Sequence, residues 1–418
     1  MKRRVVITGM GAVSPLGPDL VSTWAAVRQG KSGVGPITLF DASTFPCRIA
    51  AEVRDSALDP LTGQERRLAK YLNRGARFGM AASRMAMADA GLGPGADAPT
   101  RLGVAVGSSG SRPDLKSLGF ICRTLTEPGR GPAALDPVGF LSRASSTGAS
   151  ILAIVHNAQG PTLNVSTACA ASAQAIAAAF RIIQRGDADL MISGGFDSMI
   201  CELDVLGFSL VGALSTRNAE PQKASRPFDR DRDGFVLGEG AAVVILEERA
   251  HALARGAKIH AELAGYGTTM NAYRMTDSPP DGGGAVQAME AALADAGVRP
   301  SDVSYINAHG TSTAGNDRSE TAAIKRVFGD YAYQVPVSST KSMTGHLIAA
   351  AGALELVFCV CSLRDQIVPP TINYENPDPR CDLDYVPLQA RPVAVGVALS
   401  NSFAFGGNNA SLVVRAHR

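Results

Sequence analysis

The stretch TLNVSTACAASAQAIAAAFRIIQRGDADLMISGG, residues 162–195, decides the architecture. A short strand, Thr162 to Val165, leads through a turn into a run of small residues that begins a helix near Cys169. The polar connection QRGDAD then leads to a second apolar strand, LMISGG. A later stretch has its parts in the same order: VPVSS (residues 335–339), a turn, the helix HLIAAAGALELVFCVC (346–361), and then VAVGVALSNS (393–402). Such a repeat predicts one supersecondary unit used twice. Packed about a pseudo-twofold axis, the two units bring the helix starts near Cys169 and His346 to a common centre.

Working outward, strand-like runs at Arg4 to Thr8, Leu102 to Val106, Leu190 to Ser193, Ala241 to Leu246 and Val393 to Ala398 alternate with Ala-rich helical runs. That is the pattern of a layered α/β protein. A chain of 418 residues exceeds one ordinary core. The charged helix and Gly in EERAHALARGAKIH place a boundary near Gly256, dividing the chain into halves 1–256 and 257–418. The chain is 45% apolar and 19% charged with a net charge of +2, values of a folded enzyme without a global field for nucleic acid. No run of membrane-spanning length is present, and the apolar run after Lys2, Arg3 and Arg4 is too short for a secretory signal, so a cytoplasmic location is expected. Seven cysteines without a CxxC pair or metal-like spacing point to reduced thiols and no zinc site. SRPFDRDRDGF, residues 225–235, has the acids of a calcium loop but not its closing Glu.

Three further features bear on chemistry. Cys169 at a helix start is expected to have a lowered thiol pKa, although an isolated Cys in an Ala-rich helix is more often a core residue. INAHGTSTAGNDRSE (306–320) puts His309 just beyond an apolar strand, and SSTKSMTGHLIAAAGA (338–353) puts His346 behind Gly345, a short loop after Lys341. A single histidine is more often structural than functional; two in such turns are harder to dismiss. SNSFAFGGNNASL (400–412) combines Phe403 and Phe405 with Gly406 and Gly407, whose freedom suits amides turned inward as an oxyanion hole requires.

These motifs, in this order and together with RRVVITGMGAVSPLG (3–17) and GALSTRNAEPQKASRPFDRDRDGFVLGEGA (212–241), resemble those of the β-ketoacyl-[acyl carrier protein] synthases of the thiolase superfamily, type II elongating class. The resemblance spans the whole chain. It implies a thiolase-like layered αβαβα fold made of two duplicated halves. It also implies a decarboxylative Claisen condensation of an acyl group on Cys169 with malonyl-[acyl carrier protein]. His309 and His346 would bind the malonyl thioester, with Lys341 supporting them and Glu355 as a structural acid. Thr311 and Thr313 would meet the pantetheine arm, Phe403 and Gly110 would border the substrate, and Phe405 would be a gate whose amide joins that of Cys169 in the oxyanion hole. No metal or redox cofactor is implied. The implied partners are acyl carrier protein and a second subunit, either identical or a chain-length factor. Arg66, Arg67, Lys70, Arg74 and Arg77 recur at helical spacing as a basic face for the acidic carrier, joined by Arg217 by analogy with the family.

Departures are specific. Ala404 stands where the elongating enzymes usually have Gly, and Asn408 where they have Thr. Small residues around Gly110 in GSSGSRPDL (107–115) and the Ser-rich FLSRASSTGAS (140–150) predict a widened acyl tunnel and a specialised polyketide or polyene pathway as the alternative to fatty-acid elongation. A cysteine hydrolase and a non-catalytic acyl-binding partner are the remaining alternatives. The second histidine with Lys341 disfavours the first, and the presence of Cys169 disfavours the second.

Overall fold

The computed structural model describes residues 2–55, 61, 63–93, 98–127, 129 and 131–417. Ten strands form one continuous sheet: β1 Val5–Val13, β2 Leu102–Gly107, β3 Thr162–Val165, β4 Leu190–Asp197, β5 Gly240–Glu248, β6 Ala261–Met270, β7 Tyr305–Asn307, β8 Val337–Ser338, β9 Val397–Phe403 and β10 Asn408–Arg415. Their spatial order is β8-β7-β9-β10-β6-β1-β5-β4-β2-β3. Strands β6 and β1 meet only through Val5–Ile7 against Ala261–Leu263, so the sheet is two five-stranded units joined by a short ladder. Both units have the same order and the same sense. In each, the second and third strands are parallel, the second and fourth are parallel, and the fifth runs antiparallel to the fourth and the first.

Helices complete the layers. Helix α1 (Arg74–Asp89) packs on β1, β4 and β5, and α4 (Gly283–Ala296) packs on β6 and β10, each on an outer face. Between the two five-stranded units lie α2 (Ala171–Arg185) and α6 (Ala351–Asp365), in contact with one another. Helix α3 (Glu202–Leu210) follows β4, and α5 (Ala314–Phe328) packs against α4. The result is five layers, α/β/α/β/α, the thiolase-like arrangement that the resemblance implies. The outer contacts need missing side chains. A Cβ at Gly9 or Gly11 of β1 would lie 2.1 Å from the Ala86 or Ala82 carbonyl of α1, and one at Gly267 of β6 would lie 2.1 Å from the Ala288 carbonyl of α4. The duplicated glycines let helix backbone rest directly on strand backbone.

Two expectations shift. The last predicted strand, Val393 to Ala398, begins later, at Val397, because the Val393 and Val395 amides are taken by the carbonyl and side chain of Gln366. The proposed helix starts also move: α2 and α6 begin at Ala171 and Ala351, each behind a 3-10 turn, Ala168–Ala170 and Ile348–Ala350. His346 therefore stands ahead of the position equivalent to Cys169. Among the described residues no single helix is long and apolar enough to cross a membrane.

Candidate active site

Cys169 sits in the 3-10 turn between β3 and α2, where Ala168 has a φ of +48°. The left-handed kink turns the chain sharply enough to lift the sulfur toward the cleft between the two halves. Gly107 and Gly195, whose Cβ atoms would strike Ser172, let the start of α2 lie directly on the sheet. Cys169 is 6% exposed. Its acidity runs opposite to the sequence expectation: burial pushes it up to about 11, while the Lys341 charge and the N–H groups of Phe405 and Cys169 itself pull it down. Removal from water outweighs the helix terminus and the two amides, so the resting side chain is a thiol.

His309 follows β7 and His346 precedes α6. Their ring centroids are 5.4 Å apart, nearly perpendicular, and one nitrogen of each ring and the Cys169 sulfur all lie within 4.8 Å of one another. Burial, reinforced by Lys341, holds both imidazoles well below the usual histidine range, so both are neutral at pH 7. Nδ1 of His346 accepts the Ile348 N–H at 3.3 Å, which leaves the proton on Nε2. Nε2 of His346 and Nδ1 of His309 have no hydrogen-bond partner among the described residues. A Cys–His–His group has the donor set of a soft cation site, but an Nε2–H has no lone pair to offer, and the three side chains fit hydrogen-bond donation better than metal ligation.

The backbone under His309 is gripped from α5. Glu320 accepts the His309 and Gly310 N–H groups, each at 2.8 Å, and Asp317 accepts the Thr311 N–H at 3.0 Å and the Phe228 N–H at 2.8 Å. Arg232, itself buried, lies 3.3 Å from Asp317 and 3.0 Å from Asp378. The Arg–Asp alternation of residues 225–235 is thus a brace behind the histidine turn, with Asp229 paired to Arg226 and to the Glu375 and Asn376 amides. Glu320 and Asp317 are not among the residues that the motifs single out, although two acids three apart at the start of the helix following His309 are a signal for them.

The other expected residues divide. Lys341 and Glu355 form a fully buried ion pair beneath the histidines, with burial raising the Glu355 carboxyl to about 7. The cleft, of about 250 Å³, is lined by Cys169, both histidines, Thr311, Thr313, Phe403 and Phe405. Glu355 and Gly110 do not line it. Gly110, at φ +81°, is pressed against the Arg143 carbonyl, 2.6 Å from where its Cβ would be. In the Phe403–Asn408 loop expected to be a gate, Ala404 takes φ −111° and ψ 154°, ordinary extended backbone that any residue adopts, and the left-handed positions fall to Gly406 and Gly407. The methyl at residue 404 costs nothing in this conformation. The basic face is not one helix: a short helix, Gly63–Leu68, and a 3-10 turn carry Arg66, Arg67 and Lys70, and α1 starts afresh with Asn73 as its cap. Arg66, Arg67, Lys70 and Arg77 are exposed. Arg74 is not available: its guanidinium binds Glu239, Asp55 and the Val53 carbonyl. Arg217 is half-buried and donates to the Asp231 carbonyl.

The family described as "Beta-ketoacyl synthase, N-terminal domain" matches residues 2–252, and "Beta-ketoacyl synthase, C-terminal domain" matches residues 260–375. The 3-oxoacyl-[acyl-carrier-protein] synthase 2 of Synechocystis sp. is 47% identical over 417 residues, covering 100% of this chain and 99% of that protein. Among solved structures, a type II PKS acyl-carrier protein in complex with its ketosynthase bound to the hexaketide is similar with a TM-score of 0.89 at 38% identity, covering 100% of both chains. The ishigamide ketosynthase/chain length factor has a TM-score of 0.89 at 34% identity, again covering 100% of both chains.

Proposed function

The chain belongs to the β-ketoacyl synthase family, and on that premise we propose that it lengthens acyl chains by decarboxylative condensation on acyl carrier protein, in fatty-acid elongation. The observation that carries this reading is the buried cluster of one thiol and two neutral imidazoles, with their reactive atoms within 4.8 Å.

The chemistry runs in two halves. First, the Cys169 sulfur attacks an acyl-carrier thioester. A bond forms between that sulfur and the acyl carbon, the bond to the carrier sulfur breaks, and the proton of the Cys169 thiol ends on the carrier thiol. The amides of Cys169 and Phe405 are the donors for the oxyanion of this step. Malonyl carrier then binds. Its carboxylate leaves as carbon dioxide, and the electron pair of the broken C–C bond passes into the thioester as an enolate. Nε2–H of His346, with His309 beside it, donates to that oxygen as charge develops. Neutral imidazoles suit this task because they stabilise the enolate without quenching it by proton transfer. The enolate carbon attacks the acyl carbon on Cys169, the new C–C bond forms, the C–S bond breaks, and the sulfur leaves as a thiolate that takes a proton from solvent water. Lys341 and Glu355 hold the electrostatics of the histidine pair, and Thr311 and Thr313 at the mouth meet the pantetheine arm.

The acidic carrier docks on the exposed Arg66, Arg67, Lys70 and Arg77, joined by Arg217 by analogy with the family, and protein and carrier share the cytoplasm. A second subunit covers the free side of the edge strand β3. The chain between β2 and β3 leaves Phe120, Leu125, Phe140 and Leu141 exposed, an apolar face that a homodimer or a chain-length factor buries. A ketosynthase role in a polyketide or polyene pathway is the second reading, supported by the likeness to the hexaketide-bound ketosynthase.

The test uses Cys169→Ala. The variant is expected to lose condensation and to keep malonyl-carrier decarboxylation; loss of all carrier-dependent activity, with the fold intact, refutes the reading. Saturated against polyunsaturated acyl carriers separate the two pathways, since a preference for saturated chains rules out the second.

A further inference from the structure

The turn ahead of α6 copies the turn that presents Cys169. Each is a single 3-10 turn, each opens on a residue with positive φ, +48° at Ala168 and +47° at Ile348, and each runs into a 15-residue helix. In this register Ala349 stands where the first half has its nucleophile. What meets the middle residue differs between the two. Ahead of α2, backbone amides converge on the sulfur. Ahead of α6, the Ala349 N–H donates at 3.1 Å to Oδ2 of Asp197, the last residue of β4. The same oxygen accepts the Ser109 hydroxyl at 2.7 Å, and Oδ1 accepts the Ser198 N–H at 3.2 Å. Asp197 is 2% exposed, and among the described residues no ion pair reaches it. A buried carboxyl group with only neutral donors is costly to keep, which points to a task for it.

The task follows from the neighbouring residue. Ile348 is β-branched and left-handed, a conformation that persists only where its surroundings hold it. Its N–H is the group that occupies Nδ1 of His346. We propose that Asp197 is the positioning residue that keeps His346 an Nε2–H donor: by anchoring the Ala349 amide it holds Ile348 in its left-handed turn, and the Ile348 N–H in turn keeps the proton off Nδ1. The proposal rests on the condensation reading of the site, in which His346 donates to the malonyl thioester. Asp197 itself touches neither nucleophile nor substrate. The second half of the duplicated fold has thus replaced its nucleophile position with a support for the histidine of the first site.

The test compares Asp197→Ala with Asp197→Asn in the full chain. Asn keeps an oxygen for the Ala349 amide and Ala removes it. For Asp197→Ala, malonyl decarboxylation is expected to fall about 10- to 100-fold, the range seen when a partner that orients an imidazole is removed. Acylation of Cys169, followed by mass spectrometry of the intact protein, stays within about twofold, and Asp197→Asn behaves as the parent. Nitrogen-15 NMR of histidine-labelled protein reads the ring directly and needs no activity: His346 is the Nε2–H tautomer in the parent and in Asp197→Asn, and a mixture of tautomers in Asp197→Ala. An unchanged tautomer in Asp197→Ala overturns the proposal, and so does an equal loss of acylation and decarboxylation, which reports general damage. Two variants carry the test if Asp197→Ala does not fold. Asp197→Asn must keep the Nε2–H tautomer, and Ser109→Ala, which leaves the turn anchored, must keep parent decarboxylation; failure of either overturns it. A parent protein with the Nε2–H tautomer but no carrier-dependent activity defeats the condensation reading instead.

Discussion

Removing the Glu320 carboxylate tests whether the His309 turn is held from α5. Its two oxygens accept the His309 and Gly310 amides at 2.8 Å each, and Nδ2 of Asn401 lies 3.2 Å from the first. In Glu320→Ala both amides remain buried with no acceptor. A buried donor left unpaired costs about 1–3 kcal/mol, so the variant is expected to lose about 2–6 kcal/mol of stability. Glu320→Gln keeps one oxygen and turns an NH2 toward the other amide, which predicts an intermediate loss of about 1–3 kcal/mol. The catalytic consequence follows from geometry. A displacement of His309 by about 1 Å is expected to lower malonyl decarboxylation about 100-fold, because the donor no longer faces the developing oxyanion. Acylation of Cys169, which in the proposed mechanism uses the Phe405 and Cys169 amides, should change little. Urea denaturation gives the stability, and carbon dioxide release against intact-protein mass spectrometry separates the two half-reactions. A Glu320→Ala variant within about 0.5 kcal/mol of the parent, with unchanged decarboxylation, would refute the reasoning.

The remaining predictions concern packing, docking and pH. Gly267→Ala puts a methyl 2.1 Å from the Ala288 carbonyl and is expected to cost about 1–3 kcal/mol, seen as a lowered urea midpoint. Arg67→Glu with Lys70→Glu should raise KM for the carrier several-fold without changing kcat, an effect that fades with added salt. Arg74→Met should instead destabilise the fold by about 3–5 kcal/mol, because Glu239, fully buried, loses the cation it faces. Burial raises the Asp197 carboxyl from 3.8 to about 7, so the folded state binds its proton more tightly than the unfolded state does. The stability it contributes is full below the unfolded value and is lost as pH rises toward 7, so urea midpoints between about pH 4 and about pH 8 should fall more for the parent than for Asp197→Asn.

Local sequence determined the repeated strand–turn–helix unit, the alternation that makes a layered α/β body, and the residue types able to do the chemistry. These are properties of residues close in the chain: Ala-rich periodicity marks α2, the Gly-x-Gly pairs of β1 and β6 admit a helix backbone, and a Cys and two His stand in tight turns next to strands and helices. The same local spacing predicts one basic helical face, but Asn73 caps a new helix and Glu239, distant in sequence, draws Arg74 inward.

What the tertiary structure alone decided are the quantities set by groups far apart in the chain. The Cys169 thiol is raised rather than lowered because the whole fold closes over it, a burial that outweighs a helix end. The neutrality of both histidines comes from the same exclusion of water and from Lys341. The tautomer of His346 depends on a left-handed isoleucine whose neighbouring amide is held by Asp197 from the other half. Periodicity and motif specify which atoms are available, but charge state and proton position depend on solvent exclusion and on hydrogen bonds between strands and turns that only the packed duplicate brings into reach.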